Sequence, residues 1–247
     1  MSVDQRRAWQ IVLGRIENDL LTGRLQPGNR LPGERALAAE LGVGRSSVRE
    51  AIRVLEVLGL VRTNVGSGPT AGAIIVALPG GGMSALMRLQ VAAQGFPVLD
   101  IVKTRLLLET AVAAELAAAD PAPDLGRSAQ LLDAMDDDGL TEAEFLALDA
   151  EFHLSLAEAG GNQVVLATMA GLRSAIESYA RAGVPRLVSW PPTATRLRAE
   201  HRGILAAIQA ADPADAEARV HAHISGYYAE TRLHPSTPTD EQEPSHG

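Results

Sequence analysis

The chain has 247 residues, which is enough for one large domain or two modest ones. Apolar residues make up 46% of it and aromatic residues only 3%, a balance that favours helices and argues against wholesale disorder. The absence of cysteine excludes disulfides and thiolate metal sites. No apolar run reaches the ~18 residues that span a bilayer. We therefore expect a cytoplasmic protein without membrane contact.

The net charge of −8 is unevenly distributed along the chain. Residues 1–76 hold 10 Arg and 7 acidic residues, a net charge of +3, whereas residues 77–247 carry a net charge of −11. A basic front half joined to an acidic rear half indicates that only the front half meets a polyanion.

The front half carries the pattern of a helix-turn-helix. Helical spacing over 5–22 precedes a short second helix that ends at a turn over 42–44, and a third helix is predicted over 45–58. The outward stripe of this third helix presents Arg45, Arg49 and Arg53, with Ser46 and Ser47 at its start. Such side chains reach base edges and phosphates in a recognition helix, and Ser46 or the preceding turn can also cap the helix. The alternative is an amphipathic helix with solvated arginines.

A β-hairpin is predicted after the third helix. The β-prone runs 60–63 and 73–76 flank a glycine-rich tip that contains Gly66, Ser67 and Gly68. A tip of this kind can lie along the minor groove as a wing, and the alternative is an ordinary surface hairpin.

These motifs together resemble the DNA-binding domain of GntR-type bacterial regulators. The resemblance covers about residues 8–76 and rests on Gly23-Arg24-Leu25-Gln26-Pro27-Gly28, Leu31-Pro32-Gly33-Glu34-Arg35 and the run from Leu41 to Ile52. It implies that Arg35, Arg45 and Arg49 contact DNA and that the wing tip reaches the minor groove. Gly33 and Gly44 stand where the family often has hydroxyl residues, so these two positions offer no hydroxyl to DNA.

The rear half is predicted to be helical throughout. Helices are expected near 84–94, 98–119, 122–135, 141–159, 162–181, 193–211 and 213–232. The predicted fold is therefore mostly α, with a winged helix-turn-helix over 1–77, a linker over 78–84, an antiparallel bundle of six to seven helices over 85–233 and a disordered tail over 234–247.

Four side chains of this bundle suit a divalent metal. Asp149 and His153 lie four residues apart on one helix, and His201 and His223 lie on two later helices. Three imidazoles and a carboxylate fit zinc, nickel or manganese. The alternative for Asp149 and His153 is a surface pair. His221 is excluded because it lies roughly 200° around its helix from His223.

The order of these motifs resembles the FCD effector domain of the FadR subfamily over about residues 98–230. The resemblance rests on Arg105-Leu-Leu-Leu-Glu109, Asp149-Ala-Glu-Phe-His153, Gly161-Asn162, Glu200-His201-Arg202 and Ala218-Arg219-Val220-His221-Ala222-His223. It implies that Asp149, His153, His201 and His223 bind the metal. It also implies that Arg105 binds a small organic acid, which completes the coordination of the metal. The alternative for Arg105 is a surface pair with Glu109. Candidate apolar linings are Leu108, Val112, Leu156 and Ile204.

The sequence thus predicts a homodimeric transcription regulator, with a repressor expected, that binds a double-stranded DNA operator and responds to an acid. Two alternatives remain at this point. The first is an enzyme with a catalytic metal, against which no further general base is evident near the proposed ligands. The second is a protein whose metal is purely structural and whose helical domain binds no effector.

Overall fold

The computed structural model describes residues 7–64, 72–76, 79–93 and 95–231. The chain forms two compact units, which meet in sequence between Ala85 and Leu86. Helices dominate both units, so the predicted mostly helical fold class is confirmed. Among the described residues, no helix is both long and apolar enough to cross a membrane.

The first unit contains the predicted helix-turn-helix and the base of the hairpin. Its elements are α1 (Ala8–Leu21), α2 (Glu34–Leu41), α3 (Arg45–Val57), β1 (Val61–Asn64) and β2 (Gly72–Ile75). The two strands pair antiparallel, with Val61 opposite Ile75 and Asn64 opposite Gly72. The predicted tip residues Gly66, Ser67 and Gly68 lie outside the described residues.

The turn between α2 and α3 determines where α3 begins. Gly42 ends α2 with φ of +66°, a left-handed conformation that glycine adopts without steric cost. Gly44 occupies the N-cap of α3 and no side chain caps the helix, so the expectation that Ser46 caps it is wrong and only the turn does. Val48, Ile52 and other apolar side chains of α3 are buried against the small core of this unit, which leaves the opposite face to solvent.

Helix α4 (Pro79–Ala92) differs from its predicted bounds. It begins inside the stretch 78–84 that the sequence predicts as a linker, and five residues before the helix predicted from 84. Proline fits the first turn of a helix because the N–H that it lacks has no intrahelical partner there, so Pro79 can open the helix despite the glycines that follow.

The second unit is a bundle with the helices that the sequence predicts. They are α5 (Val98–Ala117), α6 (Gly126–Met135), α7 (Glu142–Ala159), α8 (Gln163–Gly183), α9 (Trp190–Gln209) and α10 (Pro213–Thr231). Helix α5 packs mainly on α10, α7 packs on α6 and α8, and α9 packs on α10. One continuous apolar core joins these helices. The candidate metal ligands lie on α7, α9 and α10, inside this core. The predicted tail over 234–247 lies outside the described residues.

Candidate metal centre and DNA-binding surface

The four candidate metal ligands come together in the middle of the bundle. Asp149 and His153 lie one turn apart on α7, His201 faces them from α9, and His223 does so from α10. One potential ligand atom from each of the four side chains lies within 4.8 Å of the others. All four are buried, so the alternative of a surface Asp149–His153 pair is excluded.

The shortest distances run through Asp149 and the two facing imidazoles. Asp149 Oδ1 lies 3.0 Å from His201 Nε2 and 3.8 Å from His223 Nε2. His153 Nε2 lies 3.1 Å from His223 Nε2. A carboxylate oxygen and three Nε2 atoms therefore converge on one small volume.

Two glutamates orient the imidazoles from behind. His153 Nδ1 donates to Glu109 at 2.6 Å, and His223 Nδ1 donates to Glu200 at 2.8 Å. A proton on each Nδ1 leaves the Nε2 lone pair of both rings directed at the centre, which is the arrangement of ligating histidines in metalloproteins. Glu109 and Glu200 thus support the centre although neither belongs to the ligand set.

The geometry fits a bound cation on two grounds. The two Nε2 atoms that face each other at 3.1 Å would both present lone pairs, and a cation or an added proton between them relieves that repulsion. Both ring nitrogens of His201 are buried, and among the described residues neither makes a hydrogen bond of good geometry, although Asp149 Oδ1 lies 3.0 Å from Nε2; this is an uncommon and costly state for a buried polar group. A nitrogen-rich set with one carboxylate matches the preference of zinc and similar borderline ions.

The electrostatics of His201, His223 and Asp149 favour the protonation states that a metal requires. Burial lowers the pKa of His201, and Asp149 opposes this only in part. Burial, and next the neighbouring His201, lower the pKa of His223 to about 4. Burial by itself would raise the pKa of Asp149, but contact with His201 and the other imidazoles holds it well below its usual value. A neutral imidazole and an ionised carboxylate are the forms that bind metals.

Helix α9 is fixed on either side of His201 by two arginines. Arg198 Nε donates to the Met135 carbonyl at 2.6 Å, and Arg202 Nη2 donates to Asp133 at 2.9 Å. Both contacts lead to the end of α6, so they hold the turn of α9 that carries His201 against the bundle.

Arg105 lies beside this centre and is buried, with 5% of its surface exposed. Its Nε donates to Glu109 Oε1 at 2.6 Å, and its Nη1 donates to the Tyr179 hydroxyl. The i, i+4 pair with Glu109 is present, but both side chains are buried, so the alternative of a surface pair is excluded. Burial would raise the pKa of Glu109, but Arg105 and then His153 lower it to about 2, so the carboxylate stays ionised.

Two cavities adjoin the centre. One has a volume of about 10 Å³, and Arg105, Asp149, Tyr179, His223 and Tyr227 line it together with apolar side chains. The other also has a volume of about 10 Å³ and has a more apolar lining. The predicted lining residues Leu108, Val112 and Leu156 belong to the second cavity, whereas Ile204 lines neither and is fully buried in the core.

The candidate DNA-reading side chains project from α2 and α3. Arg35, Arg45, Ser46, Arg49 and Arg53 are exposed. Ser47 is partly buried at the start of α3.

Glu34 of α2 approaches two of these arginines. Its Oε2 lies 3.0 Å from Arg49 Nε and 3.7 Å from Arg45 Nη2. Sequence reasoning gave Glu34 no role because it lies eleven or more residues from either partner, and helical spacing reports only near neighbours.

Comparison with known proteins agrees with both halves of this description. The family of bacterial regulatory proteins named gntR matches residues 10–70, and the FCD domain matches residues 100–226. The chain is 32% identical to the HTH-type transcriptional regulator LutR of Bacillus subtilis (strain 168), over 84% of this chain and 97% of that protein. It is 30% identical to the HTH-type transcriptional repressor NanR of Klebsiella aerogenes, over 92% of this chain and 86% of that protein.

A solved structure extends the likeness to the fold. Streptococcus agalactiae GntR superposes with a TM-score of 0.61 at 26% sequence identity, covering 90% of this chain and all of that one. The matched families and relatives are transcription regulators and not enzymes. The chain therefore belongs to the GntR family of bacterial regulatory proteins, as a ligand-responsive transcription regulator whose helical domain is an FCD domain.

Proposed function

We propose that this regulator binds a divalent metal through Asp149, His153, His201 and His223, and that a small organic acid completes the metal site. The observation that carries the proposal is the convergence of four buried ligand atoms within 4.8 Å, with two of the imidazoles oriented by carboxylates. Zinc, nickel and manganese suit this donor set, and cellular supply decides among them.

Arg105 is the proposed partner of the acid. Among the described residues, three of the five N–H donors of its guanidinium have a partner, one of them in a long bond of 3.4 Å to Glu109, and Arg105 lines the same cavity as Asp149 and His223. An acid in this cavity would meet the guanidinium on one side and the metal on the other. The fork geometry of arginine favours a carboxylate there.

The proposed output is a change in operator affinity. Arg35, Arg45, Arg49 and Arg53, with Ser46 and Ser47, would contact a double-stranded operator, and the wing tip at Gly66, Ser67 and Gly68 would reach the minor groove. An acid that binds one conformation better shifts the equilibrium toward it by that difference in affinity. Repression relieved by the acid is the proposed mode, and a relative named NanR is called a repressor.

We also propose that the protein is a homodimer of the FadR subfamily, with the domain bounds predicted above and with a connection over 78–84 that includes the start of α4. Leu86 and Leu89 of α4 and Leu107 of α5 are exposed apolar side chains that a second copy would cover. Sedimentation equilibrium tests this state, and a monomer at micromolar concentration contradicts it.

The experiment that tests the effector site is thermal unfolding of the metal-loaded protein with a panel of small acids, namely acetate, glycolate, L-lactate, oxaloacetate and gluconate. We expect one acid to raise the melting temperature in a metal-dependent way, and Arg105→Ala to abolish that increase. Stabilisation by metal but by none of the acids would favour a purely structural metal. An acid response that survives Arg105→Ala would exclude Arg105 as the partner.

A further inference from the structure

Glu109 of α5 lies between the proposed acid-binding side chain and one proposed metal ligand. Its Oε1 accepts a hydrogen bond from Arg105 Nε at 2.6 Å, and its Oε2 accepts one from His153 Nδ1 at 2.6 Å. The glutamate is buried, with 6% of its surface exposed. One carboxylate thus joins two functional side chains that come from different helices.

We propose that Glu109 is a positioning residue that couples the metal site to the acid site. Through Oε2 it fixes the ring of His153 so that Nε2 faces the metal, and through Oε1 it fixes the guanidinium plane of Arg105. A shift of either partner is passed to the other through the shared carboxylate. This inference rests on the metal and acid sites of the proposed function.

The way in which Arg105 is held supports this role. Glu109 accepts from Nε and, in a longer bond of 3.4 Å, from Nη2 of the guanidinium, and Tyr179 accepts from Nη1. The guanidinium is therefore held on both sides, and within the described part of the chain two of its five N–H donors are left for a ligand in the cavity that it lines. The Arg105–Glu109 pair also neutralises its own charge in the core, as a buried cation requires.

Glu200 provides a matched control because it orients a different ligand without this link. It accepts from His223 Nδ1 at 2.8 Å and also pairs with Arg196, which in turn pairs with Glu230. Glu109 and Glu200 therefore each orient one imidazole, but of the two glutamates it is Glu109 that also bonds to Arg105.

The test uses Co²⁺ alone, because the visible absorption bands of the bound ion report its coordination geometry. Affinity and spectrum are measured for the full-length protein and for Glu109→Gln, Glu200→Gln and Arg105→Lys, singly and as the two double variants with Arg105→Lys. Lysine keeps the positive charge of arginine but lacks its planar guanidinium group, so this change tests the geometry of the contact with Glu109 and not its charge. Circular dichroism of each metal-free variant checks folding.

We expect Glu109→Gln and Glu200→Gln each to weaken Co²⁺ binding about 10- to 100-fold. Arg105→Lys, although it removes no ligand, is expected to weaken binding about twofold or more and to change the Co²⁺ spectrum. Combined with Glu109→Gln, Arg105→Lys should weaken Co²⁺ binding no further. Combined with Glu200→Gln, the two fold-losses in Co²⁺ affinity should multiply.

The inference is overturned if Arg105→Lys leaves affinity and spectrum unchanged, or if its effect is the same in both glutamine backgrounds. The single variant Arg105→Lys retains Glu109 and keeps the test decisive if Glu109→Gln does not fold. Absence of Co²⁺ binding by the unaltered protein would instead refute the proposed metal site itself, so the two failures are distinguishable.

Discussion

Metal binding should stabilise the helical domain, and the size of this stabilisation can be calculated. The four ligand atoms are already within 4.8 Å of one another, so little rearrangement opposes binding. A ligand that binds only the folded state at 100 times its Kd adds about 2.7 kcal/mol to the free energy of unfolding. For a domain of this size, 1 kcal/mol corresponds to about 2–4 °C, so we expect Zn²⁺ to raise Tm by about 5–11 °C over the chelator-treated protein.

The matched variants are His201→Ala and His221→Ala. His201 is fully buried and packs on Phe152 with ring centroids 5.0 Å apart, so its loss also lowers the stability of the metal-free protein. The decisive quantity is therefore the increase in Tm on adding metal, measured by calorimetry for each variant. That increase should largely vanish in His201→Ala and persist in His221→Ala, because His221 is an exposed side chain on the helix that carries His223.

Two results would refute this reasoning. One is an unaltered protein whose Tm is the same with chelator as with Zn²⁺, Ni²⁺ or Mn²⁺. The other is an equal metal-dependent increase in the two variants, which would locate the bound ion elsewhere.

Further predictions concern pH, DNA and the cap of α7. In the metal-free protein, burial and neighbouring imidazoles lower the pKa of His223 to about 4, against about 6.5 in an unfolded chain. The unfolded state binds more protons between these values, so the free energy of unfolding should fall as pH drops from about 6.5 to about 4. A flat urea-unfolding profile over this range would contradict it. Arg49→Ala should weaken operator binding by about 1–3 kcal/mol in gel shifts, whereas Arg219→Ala, on the exposed face of α10, should leave it unchanged. Glu34→Gln releases Arg49 for phosphates, so the slope of log K against log salt should steepen by about 0.9, and an unchanged slope refutes the pairing. Thr141 caps α7 by accepting from the Glu144 N–H. Thr141→Ala should therefore cost about 1 kcal/mol of stability with metal affinity intact, as calorimetry and metal titration would show.

Local pattern and composition were enough to predict the order and bounds of most elements. Helical spacing and glycine or proline breaks located α5 and α7 to within about two residues, because apolar periodicity and helix-ending residues act over one or two turns. The same rule failed at α4, where Gly80, Gly81 and Gly82 indicate a linker and the structure has a helix from Pro79. Glycine lowers helix propensity by only about 1 kcal/mol per residue, which tertiary context can override.

The candidate site was predicted only in part, and the division has a physical cause. Asp149 and His153 could be paired from their i, i+4 spacing, and motif order added His201 and His223. Glu200 had a weak signal as the neighbour of His201, yet its side chain supports His223 instead. Such contacts join residues of two different helices, α9 and α10. The spacing of residues within one helix does not predict them.

The sequence by itself determined most of the helices, the arginine stripe of α3 and the residue types of the candidate metal site, because each depends on residue identity and on spacing within one element. Tertiary structure alone decided the burial of Arg105, its contact with Tyr179 and the shared carboxylate of Glu109. Those features depend on how α5, α7 and α8 pack in three dimensions. The packing of a core follows from the shapes of side chains far apart in the chain, and a linear pattern does not contain that information.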